Sequence, residues 1–176
     1  SNLLRDSGSF SYNTSPDLIR YFGGTVSHNT VMLGDFDQMK KGPRFIWLGW
    51  SQAIDASVQE YDDRFEFEGR IRAFKHIAKN ILHTRRIRKS KTAVRWEIID
   101  ELMHQTGLSV SQIWNVGEGF DGAFEIVAQD ETGKTLEPHI RQAWYSDTYG
   151  SKIPSRQIIF SSSGKKITAV ISKHAS

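Results

Sequence analysis

A chain of 176 residues, 38% hydrophobic and 24% charged, is long enough to bury one good core, which predicts a single domain over residues 1–176. Twenty-three Lys and Arg against 20 Asp and Glu leave a net charge of +3, a weak leaning toward polyanionic partners, and the spread of the basic residues among acidic ones argues against nucleic acid. The lack of cysteine excludes disulfides and thiolate metal sites, and no run approaches the roughly 18 apolar residues of a membrane span.

Taken from the N-terminus, residues 6–33 read as a β-rich segment with a strand at 25–33. Further strands are predicted at 44–50 and 53–60, followed by a clear alternation in which Phe65, Phe67, Gly69, Ile71 and Ala73 share one face and Glu66, Glu68, Arg70 and Arg72 the other. Strands are next expected at 82–88 and around Val94, Trp96 and Ile98. Residues 96–105 are ambiguous, because Glu97-Ile98-Ile99-Asp100-Glu101-Leu102 also suits a helical turn. Strands at 108–116, 124–128, 139–146 and 157–161, and the alternation of Ile167, Ala169 and Ile171, complete the series. Lys41-Gly42-Pro43, Glu131-Thr132-Gly133-Lys134 and Ser162-Ser163-Gly164-Lys165 supply turn chemistry between them. About ten to twelve short strands with such punctuation predict an all-β fold, an antiparallel β-sandwich of two packed sheets.

The chemistry-bearing residues concentrate near the start. Asp6 and His28 offer a carboxylate and an imidazole, both suitable divalent-metal ligands, but they lie too far apart in sequence to meet within one element and are too few to complete a tetrahedral site. Asp6 as a turn cap and His28 as a hydrogen-bonded core histidine are the structural alternatives. Tyr12 can serve as an acid if its phenol is held within reach of a leaving oxygen. Arg20 and the cluster Arg85, Arg86 and Arg88 can pair with carboxylates or sulfates, although a charge run on a strand more often forms a solvated face. Asn29 and Gln38 can orient a ligand or fasten the backbone, the commoner use of an amide. The five tryptophans read as core mass rather than as sugar-stacking platforms. No G-x-S-x-G elbow, phosphate-binding G-x-x-x-x-G-K-[ST] loop or H-E-x-x-H motif occurs.

The run Asp6-Ser-Gly-Ser-Phe-Ser-Tyr-Asn13, with Tyr21-Phe-Gly-Gly-Thr-Val-Ser-His-Asn-Thr-Val-Met-Leu33, resembles the second, β-sheet domain of the heparinase II/III-like polysaccharide lyases. The likeness continues, less specifically, through Leu82-His83-Thr84-Arg85-Arg86 and Trp144-Tyr-Ser-Asp-Thr-Tyr-Gly-Ser-Lys-Ile-Pro154. It implies that the chain is the C-terminal part of a longer bacterial enzyme, periplasmic or secreted, with an upstream α/α toroid as its partner. The parent would cleave acidic, uronate-containing polysaccharide by β-elimination, and the fragment alone would be inactive. The resemblance also implies that Asp6 and His28 ligate a metal, zinc or calcium, whose next ligand lies in an upstream H-x-H-x-D motif. Tyr12 would act in catalysis, with Arg20 and Asn29 binding substrate. A non-catalytic carbohydrate-binding or accessory sandwich is the competing expectation, since fold alone does not fix function.

Overall fold

Ser15, Pro16 and Asp17 open the first regular element. The Ser15 hydroxyl accepts from Leu18 N, Pro16 sits where a missing N–H costs nothing, and Asp17 and Arg20 complement the two ends of helix α1 (Pro16–Gly23). A 3₁₀ turn (Thr25–Ser27) follows, then β1 (Val31–Leu33), β2 (Lys40–Lys41), β3 (Trp47–Leu48), β4 (Gln52–Glu60), β5 (Arg64–Arg72), β6 (Leu82–Ser90), β7 (Arg95–Met103) and β8 (Val110–Val116). The short helix α2 (Phe120–Ala123) leads into β9 (Phe124–Asp130), β10 (Thr135–Leu136), β11 (His139–Tyr145), β12 (Ile153–Ser162) and β13 (Lys166–Lys173). This computed structural model describes residues 3–44 and 46–174.

The strands form a four-stranded sheet, ordered β1-β8-β12-β11, and a seven-stranded sheet, ordered β10-β9-β13-β7-β6-β5-β4, with β2 and β3 as a separate ribbon. Every pairing between these strands is antiparallel. The expected β-sandwich is therefore the fold. Between the sheets, Val31, Leu33, Val110, Trp114, Ile158 and Phe160 meet Ile98, Leu102, Ile167, Ala169 and Ile171 in one buried cluster. Each of the larger side chains contributes on the order of 1.5–3 kcal/mol by leaving water.

Period two also sorts the charges. Glu66, Glu68, Arg86, Arg88 and Glu97 share the outer face of the large sheet, where Arg88 bridges Glu66 and Glu97 at 2.8 Å each and Arg86 pairs with Glu68. The arginine cluster is thus split by its own alternation. Arg86 and Arg88 build this cross-strand ladder, whereas Arg85 turns inward.

Inside, Arg85 grips Asp100 through Nε and Nη2 at 2.7 and 2.8 Å, and His83 Nε2 reaches the same carboxylate at 2.8 Å. Gln112, from β8 on the other sheet, donates through Nε2 to Asp100 Oδ2 at 2.7 Å and accepts at Oε1 from Trp114 Nε1. Asp100 is fully buried. Burial pushes its carboxyl up, but the Arg85 charge and the hydrogen bonds from His83 and Arg85 outweigh that and hold it well below the usual carboxylate range.

Several elements depart from the sequence reading. Residues 25–33 are a 3₁₀ turn followed by a three-residue strand, because Ser27 and the Thr25 amide are tied locally, to Gly24 O and to Asp37. Only Trp47–Leu48 of the expected strand at 44–50 is strand, and Phe45 lies outside the described residues. The ambiguous residues 96–105 belong largely to β7, whose alternation puts Ile98, Asp100 and Leu102 inside. Of the tryptophans, Trp114 is buried, whereas Trp50 is 69% exposed and the others are half-buried, so they are not mainly core mass.

Removing the Asp100 carboxylate leaves Arg85 uncompensated, so Asp100→Ala is expected to cost about 3–5 kcal/mol in chemical denaturation. Because the folded pKa lies below the unfolded one, the stability this group confers is complete above about pH 4 and declines as acid brings the pH down toward the folded value. Asp100→Asn is accordingly expected to flatten the loss of stability below pH 4. An unchanged acid profile would contradict the assignment.

Candidate metal and substrate site

Gly8 fixes the N-terminal segment. Its φ is +74°, and a Cβ there would lie 2.0 Å from Ser146 O, so only glycine lets the two backbones approach this closely. Ser146 N donates to Ser7 O at 2.9 Å, while Ser7 N donates to Ser27 O at 3.1 Å. The segment is thereby laid between the loop after β11 and the 3₁₀ turn that ends at His28.

This placement brings Asp6 and His28 together. Asp6 Oδ1 accepts from Gly8 N at 2.9 Å, a local turn closure, and Asp6 Oδ2 bonds His28 Nδ1. The two side chains are 55% and 48% exposed, so His28 is not a core histidine, and its Nε2 faces no partner among the described residues. The next residue is held from behind. Asn29 Oδ1 accepts from Asn115 N at 2.6 Å, and Arg85 Nη1 donates to Asn29 O at 2.5 Å. Both Asn29 oxygens are engaged inside the fold, which leaves its Nδ2 as the group able to meet a ligand.

A polar layer runs beneath the segment. Ser7 Oγ donates to Asn115 Oδ1 at 3.3 Å, buried Gln157 donates to the same oxygen at 2.7 Å and to Val26 O at 2.6 Å, and Arg141 donates to Gln157 Oε1. Tyr21 fastens α1 by donating to Trp144 O and accepting from Trp144 N, each at 3.1 Å. Gln38 fastens the chain beyond His28, its amide donating to Thr30 Oγ1 and Val31 O.

The remaining candidates occupy different depressions. Arg20 lines an open groove of about 590 Å³ with Tyr21, Met32, Ile113, Arg141 and Trp144. Tyr12, 61% exposed, lines a smaller hollow of about 140 Å³ with Phe10, Phe22, Lys41 and Trp47. The hydroxyl of Tyr149 receives Ser11 Oγ and Tyr12 N, and these bonds hold its phenol below the ordinary value. The structure thus unites Asp6 with His28 and keeps Tyr12 on the same segment, with Arg20 in the separate groove. Asn115, Gln157 and Tyr149 support the site without having been singled out for it, and Arg85, expected to pair with carboxylates or sulfates, instead holds Asp100 and Asn29 O from within the fold. For Asn115 and Gln157 the signal is a polar residue at a sheet-facing position, legible only once the strand pairing is known, whereas Tyr149 lies exposed on the loop after β11.

As a metal site the geometry offers two adjacent donors. Among the described residues no group of three or more His, Asp or Glu side chains gathers to hold an ion. The oxygen and nitrogen donors suit a divalent cation, and further ligands would have to come from elsewhere.

The fold is an antiparallel β-sandwich that carries the Asp6–His28 pair on its N-terminal segment. The family described as Heparinase II/III-like, C-terminal, matches residues 1–173, and the chain belongs to it. In three dimensions it is similar to heparinase III, the BT4657 gene product, at a TM-score of 0.72 and 16% identity, covering 98% of this chain and 28% of that one. It is also similar to the heparan sulfate lyase HepC from Pedobacter heparinus, at a TM-score of 0.72 and 11% identity, covering 99% of this chain and 29% of that one. The chain thus spans under a third of the length of these structures. No curated protein matches it by sequence.

Gly8→Ala is expected to cost at least 1–3 kcal/mol from the positive φ alone, with the collision against Ser146 O added (about 1–3 kcal/mol is the usual cost of such a conformation). Thermal denaturation measures this. A midpoint equal to that of the unsubstituted chain would contradict the close approach.

Proposed function

We propose that this chain is the C-terminal β-sandwich domain of a polysaccharide lyase that cleaves uronate-containing polymers by β-elimination. Membership of the heparinase II/III-like family and the Asp6–His28 half-site together support the reading, and the meeting of those two side chains is the single observation that carries it. In the intact parent the rest of the chain, an α/α toroid upstream, would close the cleft over this face. The periplasm or the exterior of a bacterial cell is the compartment in which such a polymer is met.

In the reaction a base removes the C5 proton beside the uronate carboxyl, the electrons of that C–H bond form the C4–C5 double bond, and the C4–O bond breaks. A proton delivered to the departing oxygen completes the step. Within this scheme Tyr12 supplies that proton from its exposed phenol, and Arg20, with no ion pair among the described residues, meets a substrate carboxylate or sulfate. Asn29 Nδ2 adds a hydrogen-bond donor beside His28. Asp6 and His28 would hold a zinc or calcium ion together with a ligand from upstream, and such an ion, when bound, cross-links the two parts of the parent. The C5 proton is weakly acidic, so neutralising the substrate carboxylate is the step that most needs polar and cationic help.

The test follows the ultraviolet absorbance of the unsaturated product when the parent and the isolated domain are given heparan sulfate, alginate and other uronate polymers. Product from the parent alone is expected, with Tyr12→Phe in the parent lowering the rate about 10²- to 10⁴-fold. Polymer binding without product from either protein would replace this reading with an accessory module.

A further inference from the structure

The loop from Ser146 to Gly150, between β11 and β12, follows the site segment residue by residue. Ser146 N donates to Ser7 O at 2.9 Å, Ser146 Oγ donates to Ser9 O at 3.0 Å, and Gly150 N donates to Phe10 O at 2.6 Å. Gly8 bridges Ser146 directly. The loop itself is closed by Ser146 Oγ to Thr148 O at 3.0 Å and Ser151 N to Thr148 O at 3.1 Å. This backbone clasp extends from Ser7 to Phe10.

Beyond Phe10 the clasp changes character from backbone to side chain. Tyr149 Oη accepts from Tyr12 N at 3.2 Å and from Ser11 Oγ at 3.4 Å, and Ser11 Oγ in turn accepts from Asn13 N at 3.2 Å. The Tyr149 ring lies 5.7 Å from the Tyr12 ring, centroid to centroid, tilted at 52°. One side chain therefore contacts both the amide and the ring of Tyr12. Both tyrosines are more than 60% exposed, at 61% and 62%, so burial contributes little to this arrangement. A tyrosine that packs no core yet engages three groups of one turn is placed for orientation rather than for folding.

We infer that Tyr149 is a positioning residue of the lyase site, its phenol oxygen fixing the Ser11–Asn13 turn and its ring fixing the direction in which the Tyr12 phenol is presented to the sugar. The inference rests on the lyase reading and on the role of Tyr12 within it. Orientation acts on the transition state more than on ground-state binding, so its loss appears in kcat.

The test uses the intact parent on whichever polymer of the uronate panel it cleaves, with Tyr149→Phe, Ser11→Ala and Tyr12→Phe measured together. Tyr149→Phe is expected to lower kcat about 10- to 100-fold with KM unchanged, and Ser11→Ala to lower it less, since the Tyr12 amide keeps its acceptor. The thermal midpoint is expected to stay at the wild-type value in both, because these bonds are exposed. Wild-type kcat in Tyr149→Phe, alongside a Tyr12→Phe parent that has lost activity, overturns the inference and leaves the lyase reading standing. A fall in kcat that tracks a fall in thermal midpoint overturns it as well, by making the role structural. Full activity in Tyr12→Phe, or no cleavage by the parent, removes the reading beneath it.

Discussion

Asp100 is a charge placed where water does not reach, and the arrangement of both sheets around the site follows from how that charge is satisfied. Isolated, it would be too costly to keep ionised. Arg85 and His83 meet it from within the large sheet and Gln112 meets it from the small one, so the carboxylate is satisfied only when the two sheets are in register across the core. Arg85 also reaches Asn29 O, and Asn29 reaches Asn115. From Asn115 the bonds pass to Ser7 and Gln157 on the outer side of the small sheet. A path of polar contacts thus runs from the middle of the sandwich to the two residues flanking the Asp6–His28 pair in the chain. Networks of this kind specify one geometry because every member loses its partner if one moves.

The consequence is a rigid base beneath an exposed pair. Gly8 and Ser146 set one side, the Asn29 anchors set the other, and Asp6 and His28 face solvent between them. The two side chains, bonded to each other, supply two donors. Tyr12 and Arg20 sit in separate hollows on the same N-terminal region, open to solvent. In the proposed lyase the further ligand and the rest of the cleft would come from another part of the parent chain. The short coverage of the similar lyase structures agrees with that division.

Much of the sandwich was legible in the sequence because alternation is a strong signal wherever one face of a strand is buried, as in β7 and β13. Helix α1 was missed although Ser15-Pro16-Asp17 is a good helix start, since the surrounding β-like pattern outweighed three residues of capping chemistry. The tryptophans were misplaced because alternation says that two faces differ without saying which is covered. Asp6 and His28 could be named together only through the family pattern, and their contact depends on a 3₁₀ turn and a glycine at positive φ. The inward turn of Arg85 was hidden by the run of basic residues around it. Its partner, Asp100, comes from a different strand, and cross-strand pairing is not written along the chain.

The central claim is that Asp6 and His28 form half of a divalent-metal site completed by the rest of the parent. Elemental analysis of the intact parent and of its His28→Ala variant, both dialysed extensively against metal-free buffer, tests it most directly. Retention of about one zinc or calcium ion per chain in the parent, and its loss in the variant, is the expected result. Equal metal content in the two proteins, or none in either, would contradict the half-site.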